Sequence, residues 1–301
     1  MSAHLRTPAL AWVLLFVAPA MFATNILVAR LAADWLPPLA LTFWRWFLTA
    51  LLACALAAGA LRAAAPALKR EWPGSLLLGA IGMTLCGAAA YVAGERTSAV
   101  NIGLIYAASP VVMVLLARLF LNEPLGAARI AGIVLCIAGI TAIVARGDAA
   151  ALRQLEFNRG DLWALAGSLG WAVYSFLLRR LKTELDVAVR FAWLCVGGAV
   201  AAAPFAVGEW MAGRRFEFSA ASAAVLALTV FVASYGSYVS YARLQQKAGV
   251  AFAGLAIYLT PLFAALYGWL FVGESLQRYH LAGMLLVLCG VWLAGRAPHR
   301  P

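Results

Sequence analysis

The sequence predicts an all-α integral membrane protein with ten transmembrane helices, arranged as two inverted five-helix repeats. Three observations predict it. First, the chain is 65% hydrophobic and 12% charged, with a mean hydropathy of +0.90, whereas soluble domains carry roughly a quarter charged residues. Second, its 301 residues divide into apolar runs of about the 20 residues that cross a bilayer. Third, the second half repeats the first at an offset of 151 residues. Trp12 falls on Trp163, Gly103-Leu104 on Gly254-Leu255, Pro110 on Pro261, Glu123-Pro124-Leu125 on Glu274-Ser275-Leu276, Gly132 on Gly283 and Gly139 on Gly290. Leu and Ala coincide easily in so apolar a chain, so the Trp, Pro, Glu and Gly matches carry the weight, and together they mark an internal duplication.

Span 1 covers 8–31. Arg6, the apolar stretch and Ala18-Pro19-Ala20 imitate a secretory leader. Apolar character nevertheless runs on to Leu31, and Trp12 has its counterpart in the second half, so span 1 is read as retained. Pro37-Pro38 opens span 2 (37–60), Pro73-Gly74 opens span 3 (73–94), and span 4 follows at 98–121. Pro124-Leu125-Gly126 sets off span 5 (126–146), which completes a first repeat of residues 1–147. A charged connection, 148–158, leads to Arg159-Gly160-Asp161 and the second repeat, 159–301. Its spans are 159–180, 184–208, 222–245, 249–272 and 277–297.

Five spans per repeat is an odd number, so the second copy enters the membrane upside down relative to the first. With the N-terminus inside, thirteen Lys and Arg residues fall on the inner side and eight on the outer, with Arg45 and Arg190 inside spans. That bias places both termini in the cytoplasm of a cell inner-membrane protein. The net charge of +11 is spread in ones to threes between spans, a topogenic pattern that excludes a nucleic-acid partner. The five cysteines lie within spans without CxxC spacing and the three histidines near span ends, so neither a metal nor a cofactor is expected.

Polar side chains inside a bilayer are costly unless partnered, so their distribution locates the working interior. Spans 5 and 10 are nearly bare of them and read as scaffold, their heptad-spaced glycines permitting close helix contact. Span 8 is the opposite: Ser234, Tyr238 and Tyr241 share one face of a hydroxyl-rich stretch. Span 1 offers Thr24 and Asn25, and span 3 offers Tyr91. Asn101, Tyr106 and Ser109 lie on span 4, with Trp163, Trp171, Tyr174 and Ser175 on span 6 and Tyr258 on span 9. A substrate cavity lined by spans 1, 3, 4, 6, 8 and 9 follows. Pro110 and Pro261, mid-span in equivalent helices, each free a carbonyl four residues back and are read as hinges. Arg45 and Arg190 are expected to snorkel or to cap helix carbonyls. No acid falls mid-span, which argues against proton coupling.

The Ser/Thr-Pro in the fourth span of each repeat, the Glu at the following turn and the Gly-rich fifth span resemble the EamA-type proteins of the drug/metabolite transporter superfamily. The matching stretches are Ser98 to Gly147 and Gly249 to Gly295, with Asn25, Arg30 and Phe43-Trp44-Arg45 similar to that family's opening. The resemblance covers essentially the whole chain. It implies a ten-helix inner-membrane exporter with a central pocket, of the amino-acid and metabolite type, working by alternating access on a small-molecule substrate, as a monomer or homodimer. A lipid-carrier flippase, a nucleotide-sugar carrier or multidrug efflux are the alternatives. An enzyme is not expected, because nucleophile, base and metal ligands do not cluster.

Overall fold

The computed structural model describes residues 9–107, 109–121, 126–145, 148 and 158–295, and every regular element among them is helical. In the first half, α1 (Ala9–Leu31), α2 (Pro38–Leu56) and the short α3 (Ala58–Ala63) precede one continuous helix made of α4 (Ala65–Leu78), a π-helical segment (Gly79–Leu85) and α5 (Cys86–Gly94). α6 (Ala99–Tyr106), α7 (Ser109–Leu121) and α8 (Ala127–Val144) complete it. The second half holds α9 (Arg159–Arg180) and α10 (Val187–Met211). It continues with α11 (Ala220–Ala227), a second π-helical segment (Leu228–Gly236), α12 (Ser237–Tyr267), a third π-helical segment (Gly268–Val272) and α13 (Arg278–Gly295).

Six of these helices are long and apolar enough to cross a membrane, and Ile130–Ile143, Leu259–Val272 and Arg278–Gly290 are shorter apolar helices. With the α6–α7 pair they make ten passes among the described residues. Helical elements follow one another without a gap from Ala220 to Val272, where the sequence predicts two spans separated at 245–249. A straight helix of that length would be ~80 Å long. The segment instead folds back. Leu226 and Ala264 share a core cluster with Ala29, while Leu244 and Ala256 share another with Ala11 and Leu14. One helix, α1, thus packs along both limbs, and the reversal lies between Ala248 and Ala256.

The halves interlock as an inverted pair. α8 packs on α13 and α2 on α10, each helix against its own repeat mate, while α1 lies against α12 as α9 lies against α5 and α7. The α8–α13 contact fixes the relative direction. A Cβ added to Gly139 would sit 2.8 Å from Gly283 O, and one added to Gly290 would sit 2.6 Å from Gly132 O. Rising numbers on one helix meet falling numbers on the other, so the two run antiparallel with backbones touching. Ile130, Val134 and Ile137 with Leu281 and Leu285 face outwards from this seam.

Helix starts show how the chain is tied. Asn158, Asp186 and Ser219 cap their own helices by accepting backbone N–H bonds. α2 begins at Pro38 after Pro37 and has no side-chain cap of its own. Glu209 on α10 supplies one, its Oε2 accepting from the N–H groups of Leu39 (3.0 Å) and Ala40 (2.8 Å). At α6, Ser98 accepts from Asn101 N–H, and Glu274 accepts from Ala99 (2.8 Å) and Val100 (3.2 Å). Orphan N–H groups of two first-half helices are therefore satisfied by carboxylates of the second half.

Candidate functional site

Arg45 lies seven residues into α2, about 10 Å from its first residue, and is 5% exposed. The expectation that it snorkels to a membrane face is corrected: its guanidinium is buried and held by Asn25, Tyr91 and Ser234 of other spans, with a single long carbonyl contact, to Ala233. Arg190 takes the capping role, with Nη2 donating to the carbonyls of Leu178 (3.0 Å) and Leu181 (3.2 Å) at the end of α9.

Around Arg45 four helices converge. Nε donates to Ser234 Oγ at 2.7 Å, Nη1 to Tyr91 Oη at 3.1 Å and to Asn25 Oδ1, and Nη2 to Ala233 O at 3.5 Å. Tyr91 in turn donates to Asn25 Oδ1 at 2.8 Å. The guanidinium carbon sits 4.4 Å from the centre of the Trp46 ring, a cation–π contact. Ala233 and Ser234 belong to the second π-helical segment, and such widened turns recur where a helix serves function. A buried Arg at mid-helix costs about 2.5–3.5 kcal/mol on insertion scales. Here it is met by neutral dipoles, and among the described residues no carboxylate pairs with it.

An aromatic wall adjoins this cluster. Tyr238 lies 4.6 Å from Phe191 and 5.7 Å from Phe22 by ring centres, and Trp171 lies 5.3 Å from Tyr174. Trp46, Tyr174, Trp171, Phe191 and Tyr238 form part of one packed cluster. Tyr174 lies against Gly82 in the first π-helical segment, where any side chain would collide with the ring.

The structure thus brings Asn25, Tyr91 and Ser234 together, with Trp171, Tyr174 and Tyr238 beside them. Tyr241 stands further along α12, 6.1 Å from Phe22. Thr24 is buried and donates to Ala20 O in its own helix, and Tyr106 donates to Cys86 O at 2.9 Å. Ser109 is buried and Ser175 half-buried. Trp163 is 44% exposed and shares an outward face with Leu162, Leu165 and Leu169, away from the cluster. Pro261 is buried against Gly103 within a continuous helix. Pro110 is helical, but its side chain, that of Tyr258 and all of Glu123 lie outside the described residues.

Asn101 belongs to a second group, at the membrane face opposite the termini. Its Nδ2 donates to Thr97 Oγ1 (3.1 Å) and Asp161 Oδ1 (3.2 Å), and Thr97 donates to the same Asp161 oxygen at 2.5 Å. His280 Nδ1 accepts from Gln277 N–H, which leaves Nε2 to donate to Asn101 Oδ1 at 3.1 Å. Arg30 lies 4.0 Å from Glu274 and donates to Gly94 O, and Arg214 pairs with Glu95 at 2.5 Å and with Glu209 at 3.6 Å. The Glu95 hydrogen bond and charge hold the Arg214 guanidinium above its ordinary pKa. A cleft of about 370 Å³ opens here between Arg30, Glu95, Arg96, Asn101, Glu274 and Tyr279.

Neither Arg45 as the hub nor Asp161 and His280 as buried members of a network follows from the sequence reading. Apolar periodicity shows that a residue is inside a span, and it does not show which spans surround it. The one available signal is the Arg itself, flanked by Trp44 and Trp46 where an interfacial position would be expected.

The sequence pattern of the EamA-like transporter family matches residues 9–145 and again 158–296. A transporter of Archaeoglobus fulgidus is 25% identical over 93% of this chain and 95% of its own. The transporter YyaM of Bacillus subtilis is 25% identical over 75% of this chain and 74% of its own. A protein named as a probable terminal-alkyne amino-acid exporter of Streptantibioticus cattleyicolor is 29% identical over 81% of this chain and 80% of its own. One solved crystal structure superposes with a TM-score of 0.64 at 19% identity, covering 94% of this chain and 96% of the other, which shows a shared fold.

Proposed function

The chain belongs to the EamA-like transporter family, and from that premise we propose that it exports small neutral or aromatic amino acids, or metabolites of like chemistry, across the cell inner membrane. Transport runs by alternating access and without proton coupling, both termini being cytoplasmic. The protein is a membrane transporter and not an enzyme.

The observation that carries the reading is the juxtaposition of the Asn25–Arg45–Tyr91–Ser234 cluster with the aromatic wall of Tyr238, Phe191, Trp171 and Tyr174, drawn from both halves. A zwitterion with an apolar side chain needs both surfaces: dipoles and charge for its backbone end, ring faces for the rest. The S. cattleyicolor relative lends support from the substrate its name carries. Asp161, Glu209 and Glu274 are held at helix ends by backbone or side-chain donors, which favours transport that runs down the substrate gradient. The ties across the face opposite the termini must break for that side to open.

A phosphate-bearing lipid or sugar carrier would need several unengaged cations in the interior. Of the two arginines inside spans, Arg190 is already spent on two carbonyls, so among the described residues this reading has Arg45 to rest on and ranks second. Uptake of labelled amino acids into proteoliposomes, with and without an imposed pH gradient, tests the proposal. Saturable uptake of neutral or aromatic amino acids that ignores the gradient supports it. Uptake that follows the gradient overturns the uncoupled mechanism, and absence of uptake for every amino acid overturns the substrate class.

A further inference from the structure

We propose that Arg45 is an anion receptor that binds the carboxylate of the transported molecule, and that Asn25 Oδ1 is the internal surrogate which the carboxylate displaces. The inference rests on the amino-acid export reading and narrows it: the carboxylate becomes the obligatory recognition element, ahead of the side chain or the amine.

Charge balance is the first ground. Arg45 is a cation 5% exposed in a bilayer-spanning bundle, with only hydroxyl, amide and carbonyl oxygens around it. Neutral acceptors satisfy N–H groups without cancelling charge, and a buried unpaired charge is among the most costly groups a fold can hold. A monoanion entering this site supplies what the protein withholds, and charge-assisted bonds replace weaker neutral ones.

Donor geometry is the second. Arg45 Nη1 and the Tyr91 hydroxyl converge on a single acceptor, Asn25 Oδ1, as they would on one oxygen of a carboxylate. Nη2 has only Ala233 O, at the outer limit of a hydrogen bond at 3.5 Å. That same carbonyl already accepts from the Ser237 hydroxyl at 2.8 Å, so Nη2 is the donor left for a second carboxylate oxygen. The neighbouring Trp46 Nε1–H is buried and finds no acceptor. Donors exceed acceptors here, the signature of a site waiting for an anion. Asn25 is half-buried, unlike Arg45 and Tyr91, which makes it the member that can give way.

The decisive variant is Asn25→Asp. It places a permanent carboxylate at the position the substrate is proposed to take, without changing the shape of the side chain. If the cluster only ties spans 1, 2, 3 and 8 together, the new ion pair leaves transport as it was. If the cluster is the receptor, the variant holds or raises its melting temperature while uptake of phenylalanine falls by at least about tenfold, the worth of one charge-assisted interaction. Arg45→Lys keeps the charge and loses the planar fork, so it retains part of the uptake with a raised KM.

Competition against phenylalanine uptake by wild-type protein in proteoliposomes completes the test. Phenylalaninamide and phenethylamine, which lack the carboxylate, compete at least about tenfold more weakly than phenylalanine, whereas 3-phenylpropionate competes. Equal competition by phenylalaninamide, or full activity of Asn25→Asp, overturns the receptor while leaving amino-acid transport standing. Arg45-dependent uptake of 3-phenylpropionate with no uptake of any amino acid does the reverse: it keeps the receptor and overturns the amino-acid reading.

Discussion

Gly139 and Gly283 stand back to back across the α8–α13 seam, close enough that a methyl on Gly139 would lie 2.8 Å from the Gly283 carbonyl oxygen. The repeat mates Gly132 and Gly290 repeat the contact at the other end of the seam, so the two-fold axis runs between them. At its centre Cys136 Sγ donates to the carbonyl of Val287, its own counterpart at the 151-residue offset, at 3.5 Å.

Widening that seam should cost stability and little else. Gly283→Leu forces its side chain onto Ile143 and the Gly139 backbone, at about 1–3 kcal/mol for overpacking. Thermal unfolding of the purified protein should show the loss, while uptake per folded molecule stays near wild type because the Arg45 cluster is remote from these helices.

Removing the Ser234 hydroxyl leaves Arg45 Nε buried without its 2.7 Å partner. Ser234→Ala should therefore destabilise by about 1–3 kcal/mol, more than Ser240→Ala, whose hydroxyl reaches only Met21 Sδ at 3.6 Å. Chemical denaturation of both variants in one detergent checks the ranking.

Glu209 and Arg214 form an ion pair, yet their deletions should differ. Arg214 is 49% exposed, so Arg214→Ala should cost under about 1 kcal/mol. Glu209→Ala strands two N–H groups at the start of α2 and should cost about 0.5–2 kcal/mol, as loss of a helix cap does. Equal melting temperatures for the two variants would count against the capping role.

Releasing the tie between Glu274 and the start of α6 should favour opening on the side away from the termini. In Glu274→Gln only one of the two oxygens that accept from Ala99 and Val100 is kept, the other becoming an NH2 that cannot accept, and the charge facing Arg30 is gone. A cysteine substituted at Ser98 should then react faster, by a few-fold, with a membrane-impermeant maleimide. An unchanged rate would assign the cap to stability alone.

The scaffold was legible in the sequence because glycine, proline and tryptophan punctuate apolar runs in a register that Leu and Ala cannot blur. The same logic identified α8 and α13 as close-packing helices. It failed at Arg45, because the fate of a polar residue in a span depends on which other spans surround it, and that is a three-dimensional fact. It failed at Trp163 for a related reason: aromatic character fits a pocket and a lipid-facing surface equally, and only packing separates them. Between spans 8 and 9 the expected break is not a loop, because Gln245 to Ala248 are compatible with helix and are helical here.

The two long π-helical segments carry a historical consequence. Shifting Gly79–Leu85 by 151 residues places it on 230–236, inside the segment Leu228–Gly236. A widened turn holds one residue more than the α-helix around it and swings everything beyond it by roughly 100° about the axis. Acquiring it separately in each half would require two such disruptions at one register. Inheritance from a single ancestral half-protein, before the gene doubled, requires one. The groove that now receives Tyr174 at Gly82 and the turn that now offers Ser234 to Arg45 are then descendants of one feature, diverged into a packing role in one half and a polar role in the other.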